Sequence, residues 1–576
     1  NTKILMSIIK CIEFCGHQGI SLRGHKDNGA TCTDACNSNN GNFHAMLKMR
    51  IDAGDTVLKD HFSDCEKNAT YISKTAQNQL LDCFKDYLQY EIVKEVKEQP
   101  FKPYFGVMAD EVSDISNWEQ LGIVNNEEPV ERLLMSSECK EIAGGALCNS
   151  IIKNLKDAGL NPYCRAPCFD GAGNIAGQQR GCTARFLEHA PRAPYFHCTS
   201  HDLYLALCKA CKIPEIQRML ETLKNLGTFF KFSPKWQRRL EDSVEIINKE
   251  RENTEEARIS RRKIKPLCET HWIEKHKALE DFEELCEAFV DCLEKTTTEV
   301  NYDAKIVSDA NGFLSQITNC SFISAFHSVR YVFGYTKALS ALLQGSTMDL
   351  ITAYEEVKLI CDDLKDTRVN VEKQFAKMFT QIRNMVPLAR LEVGVPHRCK
   401  RQTLRSNVEA DNPECYFRRA IFIPFLDSII QQISLHATRA LYLIPSNLHK
   451  LTQQHEQNLK SYCFTDLPSP ATFHQEIRLW SLWVSYGETS PSTAQNALKH
   501  LSDSATSRLY PNICSILHVI LVSPTTTATV ERANSSLKFI KNKYRSTMTE
   551  GRLNALILMF VHRDIKLDVE KIIDMF

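Results

Sequence analysis

Two acidic positions in this chain stand where phosphodiester chemistry would need them. The segment "YFGVMAD" is a short apolar run that ends in Asp110 and Glu111, with Asp114 just beyond. Its length and flanks predict a buried strand. "YCRAPCF" predicts another, running into Asp170 and then Gly171, Ala172 and Gly173. Acids placed where strands give way to loops lie at the rim of a sheet, where α/β proteins put ligand sites. Glycines after Asp170 let a backbone or a substrate come close. Far downstream, Glu531 sits in "TTTATVERANSSLK", the start of a helix with threonines available as caps. Three carboxylates converging from two strand ends and one helix would hold Mg²⁺ or Mn²⁺, which prefer hard oxygen ligands. Two such ions about 4 Å apart can activate an attacking oxygen and stabilise a leaving one. Acids after strands are also common turn residues. Nothing local singles out Glu531 among the 70 acids.

The elements that must position these residues follow from apolar periodicity. "WEQLGIV" (118–124) and "ERLLMSS" (131–137) predict two more strands, joined by the short polar "NNEEP". Helices are predicted over Ile142 to Ala158, Arg180 to His189 and Ser200 to Cys211, with a last strand in "APYFHC". The order β-β-β-α-β-α-β-α makes a mixed sheet with helices on it. Residues 1–100 are helical, with Leu80, Leu81, Phe84, Leu88 and Ile92 on one face of a long helix. From Pro214 to about Ser502 strand alternation disappears and long helical periods take over, an all-α block. The resulting division is 1–100, 101–213, 214–505 and 506–576.

Composition limits the partners. Lys+Arg and Asp+Glu are both 70, so the formal net charge is zero, and any polyanion contact must use local basic patches. No apolar run reaches the ~18 residues of a membrane helix. The 23 cysteines are scattered through a chain long enough to bury a core, which points to free thiols in a reducing compartment. The first residue is Asn1, so the chain is expected to be a fragment of something longer.

Four blocks carry a family resemblance. "VMADEVSDISNWEQLGIV", "CFDGAGNIAGQQRG", "APYFHCTSHDLYLALCKAC" and "VSPTTTATVERANSSLKFIKNKYRSTMTEGRLNALILMFVHRDI" together resemble a hAT-superfamily transposase. "GISLRGH" and "RAIFIPFLDSII" fit the branch of MYM-type zinc-finger proteins and repressors of the inhibitor of the protein kinase. The resemblance covers essentially the whole chain. It implies an RNase H-like core interrupted by a large α-helical insertion, and a C-terminal dimerisation region. It puts the family's acidic triad on Asp110, Asp170 and Glu531, with Mg²⁺ or Mn²⁺ as cofactor. Water would cut DNA at transposon ends, and a DNA hydroxyl would then attack a phosphodiester. The Cys-x-x-His motif matches Cys198 and His201, and the insertion tryptophan matches Trp272 in "CETHWIEKH". A homodimer or higher homo-oligomer formed through the C-terminal region, DNA as partner and a nuclear location are implied with it. The chain departs from the family in a shorter link between its second and third strands, in Ala533 and Asn534 after "VER", and in the missing N-terminal zinc finger. A domesticated, non-catalytic DNA- or protein-binding scaffold is the alternative.

Other signals have bland counterparts. Cys198, His201, Cys208 and Cys211 could ligate zinc, but ligands along one helix lie in a line and close a tetrahedron poorly. His201 could instead brace the acidic site or reach a phosphate, or be a satisfied core histidine. "RISRRKIK", with Arg261, Arg262 and Lys263, is either a solvated loop or a phosphate-contacting or nuclear-localisation segment. Trp272 could stack on an extruded base or be buried. Arg532 and Lys538 follow Glu531 on a helix that can show acid to a metal and base to DNA. Leu553, Leu556, Ile557, Met559 and Phe560 form an apolar stripe that is either core or dimer interface.

Overall fold

The fold is a computed structural model. It describes the chain outside residues 25–39, 67–68, 100–101, 113–117, 126–129, 139–142, 161–162, 170–180, 191–195, 198, 253–256, 265–271, 299–302, 344–349, 389–392, 396–407, 434–442, 444, 464–465, 487–490, 492, 502–507, 525–526, 543–544 and 546. At 110–112, 118–120, 199–202, 272–275, 531 and some other element positions it describes the backbone alone. Two compact units emerge. One comprises residues 1–201, 344–352 and 438–576; the other comprises 202–343 and 353–437.

The first unit is built on a mixed sheet of β1 (Phe105–Val112), β2 (Trp118–Asn125), β3 (Val130–Glu138), β4 (Cys164–Phe169) and β5 (Phe196–His197). The spatial order is β3-β2-β1-β4-β5. β1 pairs antiparallel with β2 and parallel with β4. The strands fall where short apolar runs bounded by polar turns predict them, and Asn125 pairs with Val130 across a link of four residues.

The two faces of β1 have different partners, as a period of two requires. Phe105, Val107 and Ala109 enter a core with Ile92 and Val96 of the Lys74–Lys97 helix, Leu147, Ile151 and Leu155 of the Gly144–Asp157 helix, and Phe186 of the Cys182–His189 helix. Gly106 and Met108 meet C-terminal segments instead. A Cβ added at Gly106 would lie 2.1 Å from the Val522 carbonyl oxygen, so only glycine admits that approach.

Strand β3 is an edge, and its backbone finds side-chain partners. Gln89 Nε2 donates to the Leu134 carbonyl at 3.0 Å, and the Ser136 N–H donates to Asn554 Oδ1 at 3.0 Å. His562 Nε2 lies 2.8 Å from the Leu133 carbonyl oxygen. Such cover blunts an edge that would otherwise pair with another chain.

Asn554 and His562 belong to, or directly follow, the Glu550–Val561 helix. Its Leu553, Leu556, Ile557 and Met559 are buried with Ile8, Ile9 and Ile12 of the Thr2–His17 helix and with Leu80, Leu81 and Phe84. The stripe that could have been core or dimer interface is therefore core, with Phe560 at its partly exposed margin.

The second unit is helical among its described residues. Its helices include Pro214–Lys231, Pro234–Glu252, Trp272–Thr298, Ala304–Ile317, Cys320–Leu343, Leu350–Val369, Val371–Leu388 and Ile423–Ile433. Phe282, Phe289, Phe326, Phe333, Phe375 and Phe379 are fully buried there. No described helix is long and apolar enough to cross a membrane. The described cysteines are free thiols, and burial pushes Cys164, Cys286 and Cys514 up to about 12.

Candidate functional site

The three acid-bearing segments meet through their apolar neighbours. Met108 on β1, Cys168 on β4 and Val530 on the Ala528–Ile540 helix form one buried cluster. Met108 lies two residues before Asp110, Cys168 two before Asp170, and Val530 one before Glu531. The strand register agrees. Ala109 is aligned with Phe169, the last residue of β4, so positions 110 and 170 follow adjacent residues of neighbouring parallel strands.

Gly122 on β2 makes room for this helix. A Cβ there would stand 2.9 Å from Val530 Cγ2 and 3.1 Å from Met108 Cε. The helix itself follows from a simple pattern. Val530, Ala533, Leu537 and Ile540 are buried, while Arg532, Ser535, Lys538 and Phe539 are exposed. Thr527 holds the N-cap position without a side-chain capping hydrogen bond.

The side chains of Asp110 and Glu531, and all of Asp170, lie outside the described residues, as do the side chains of His201 and Trp272 and all of Cys198. By backbone, Asp110 is in β1 opposite Gln120, Glu531 is in the first turn of its helix, and Trp272 begins the Trp272–Thr298 helix. His201 lies in the Thr199–Ala210 helix. Among the described residues no group of three His, Cys, Asp or Glu is arranged for a metal.

The basic segment is strapped down in part. Ile259 and Ile264 are buried, and the Asn248 amide brackets the Ile259 backbone at 2.8 and 3.1 Å. Arg261 is held by Glu280 at 3.2 Å, by Glu284 at 3.0 Å and by Asp281. Three carboxylates thus engage its charge within the fold, leaving Arg262 and Lys263 as exposed cations of the described stretch.

Arg532 is exposed and reaches Glu131 at 3.4 Å, while Lys538 lies exposed on the same helix. Glu131 gave no signal in sequence beyond a polar strand start. Its carboxyl is only 9% exposed, and burial pushes its pKa up to about 7 against the opposing pull of Arg532. A raised folded-state pKa adds stability that is complete below the ordinary carboxylate range, near 4.5, and is lost as pH climbs through 7. Glu131→Gln should therefore gain on the parent chain between pH 4.5 and pH 8, by on the order of 2–3 kcal/mol. Parallel melting curves across that range test this; a constant difference would contradict it.

Residues 1–181 match an RNase-like domain described for ZMYM1/FAM200, and residues 476–565 match the hAT family C-terminal dimerisation region. Asp110 and Asp170 fall in the first match and Glu531 in the second. The chain is similar to the 52 kDa repressor of the inhibitor of the protein kinase from Mus musculus, 26% identical over 607 residues, covering 100% of this chain and 76% of that protein. The Homo sapiens protein of the same name is 26% identical over 606 residues with the same coverage. A match to the RNase-like domain and a match to the hAT dimerisation region thus lie in one chain that is similar to these relatives over its whole length.

Proposed function

We propose that this chain is a DNA-processing scaffold of transposase descent, with Asp110, Asp170 and Glu531 forming one carboxylate site for Mg²⁺ or Mn²⁺. The contact of Met108, Cys168 and Val530 carries the reading. Strand alternation puts residues 108 and 110 on one side of β1, and in sequence Asp170 directly follows Phe169, the last residue of β4. Glu531 adjoins Val530. Carboxylate oxygens are the donor set these ions prefer. When bound, the ions would stabilise the attacking and leaving oxygens of a phosphodiester.

In this reading the sheet and its helices are an RNase H-like core, divided from an α-helical insertion near residues 213 and 506. Arg532, Lys538, Arg262 and Lys263 face DNA phosphates. Trp272 stacks on a base, and His201 reaches a phosphate or braces the acids. Arg261 orients its segment through its three carboxylates. The protein works in the nucleus.

The test is cleavage, by the full chain with Mg²⁺ or Mn²⁺, of a duplex bearing the inverted repeats that flank its own gene. Cleavage at the repeat ends, lost in Asp170→Asn, supports the catalytic site. Binding without cleavage favours a second reading, a non-catalytic nuclear regulator, to which the relatives' name as repressors lends support.

Self-association through the C-terminal region belongs to both readings. The parent chain should sediment as a dimer at micromolar concentration, and a monomer there defeats this. Leu556→Asp should unfold the first unit rather than merely dissociate a dimer. Leu556 is 2% exposed, and a charge in that core costs several kcal/mol. Folded, monomeric Leu556→Asp would contradict this.

A further inference from the structure

Beside the acidic segments, on the outer side of the Ala528–Ile540 helix, lies a notch of about 290 Å³. It is lined by Arg532, Ala533, Ser536, Phe560, Val561 and Arg563. Arg532 and Ser536 are one helical turn apart. Arg563 stands just past the end of the Glu550–Val561 helix, where its Nε donates to the Phe560 carbonyl at 2.8 Å. Its guanidinium sits 4.2 Å from the centre of the Phe560 ring. These contacts fix the plane of the guanidinium while using only one of its nitrogens. Among the described residues no carboxylate pairs with Arg563; the neighbouring Asp564 is taken by Arg132 at 2.5 Å.

The described lining therefore brings two guanidinium groups and a hydroxyl together, with no acid among the six lining residues. Glu131 faces Arg532 from β3. Such a donor set suits a tetrahedral oxyanion and repels cations. A second feature specifies the anion. Phe539 is 55% exposed and stacks on Phe560, with ring centroids 5.4 Å apart and planes at 28°. An exposed aromatic face next to an anion notch matches the alternation of base and phosphate along a nucleic-acid strand.

We infer that the notch holds a backbone phosphate of a DNA strand, clasped by Arg532, Arg563 and Ser536, with Phe539 carrying an unpaired base beside it. The inference rests on the DNA reading above and adds Arg563, Ser536 and Phe539 to it. Arg532 directly follows Glu531, so this phosphate would flank the one at the carboxylates.

The experiment is equilibrium binding of a fluorescent single strand and of a duplex to the full chain over a range of salt. Arg563→Ala should weaken binding about five- to tenfold and lower the slope of log K against log salt by about one. Arg563→Lys should keep most of that slope. Phe539→Ala should weaken the single strand more than the duplex. Arg563 is exposed, so melting temperatures should match the parent and folding does not confound the result. Excess inorganic phosphate should compete weakly, because it lacks the base. If the parent binds DNA and Arg563→Ala binds equally well, the notch assignment fails and the DNA reading stands. If the parent binds no DNA, both fail. Tighter, Arg563-dependent binding to phosphatidylserine vesicles than to DNA would overturn the choice of strand over membrane.

Discussion

Asp170→Asn is expected to abolish the response of the chain to divalent metal. In the proposed site, the carboxylates of Asp110, Asp170 and Glu531 would repel one another when no cation lies among them. A bound Mg²⁺ or Mn²⁺ relieves that repulsion and stabilises the folded chain by mass action, about 2.7 kcal/mol at a hundredfold excess over its dissociation constant. Asparagine removes a charge and a ligand while keeping shape. The substituted chain should melt at least as high as the parent without metal and gain nothing on its addition. Thermal melts of both chains against Mn²⁺ concentration check this. A metal-induced rise of the same size in Asp170→Asn would remove Asp170 from the site. No rise in either chain would remove the metal.

Asp466→Ala should cost the first unit about 3–5 kcal/mol. Arg165 of β4 is 5% exposed, and its Nε lies 3.0 Å from each carboxylate oxygen of Asp466. Its guanidinium also lies 4.3 Å from the centre of the Tyr104 ring, and the Tyr104 hydroxyl donates to Asp466 Oδ1 at 3.2 Å. Ser515 Oγ and Lys102 Nζ donate to the Asp466 carbonyl at 2.9 and 3.3 Å. This network ties the start of β1, the start of β4 and the Pro511–Leu521 helix through Asp466. Removing the carboxylate takes from a buried cation the counter-charge of Asp466. Replacing both partners, as in Arg165→Leu with Asp466→Leu, should recover most of the loss, because no charge is then stranded. Denaturant midpoints of the three chains decide it; a loss under 1 kcal/mol in the single variant would show that the pair is not structural.

The residues themselves were enough to mark the strands and to offer Asp110 and Asp170 as candidates. Apolar runs of strand length, broken by polar turns, mark β1 to β4, because the two-residue side-chain period is a local property. Asp110 and Asp170 stand at the ends of such runs. Glu531 is different. It lies 361 residues beyond Asp170 on an unremarkable helix, and family resemblance alone selected it. The packing of Val530 on Met108 and Cys168 links its segment physically to the other two.

Tertiary structure also decided between readings that look the same along the chain. A helical stripe from Leu553 to Phe560 is apolar whether it faces its own N-terminal helices or a second copy; the contacts with Ile8, Ile9 and Leu80 make it core. Arg261 and its neighbours Arg262 and Lys263 form one basic run, yet Arg261 alone is spent on Glu280, Asp281 and Glu284. Arg563 carries no local mark, and becomes part of a notch only because the end of one helix lies against Arg532 on another. Periodicity says which side of an element is buried, because it depends on residues a few positions apart. What that side meets depends on segments hundreds of residues away, and that pairing appears only once the chain is packed.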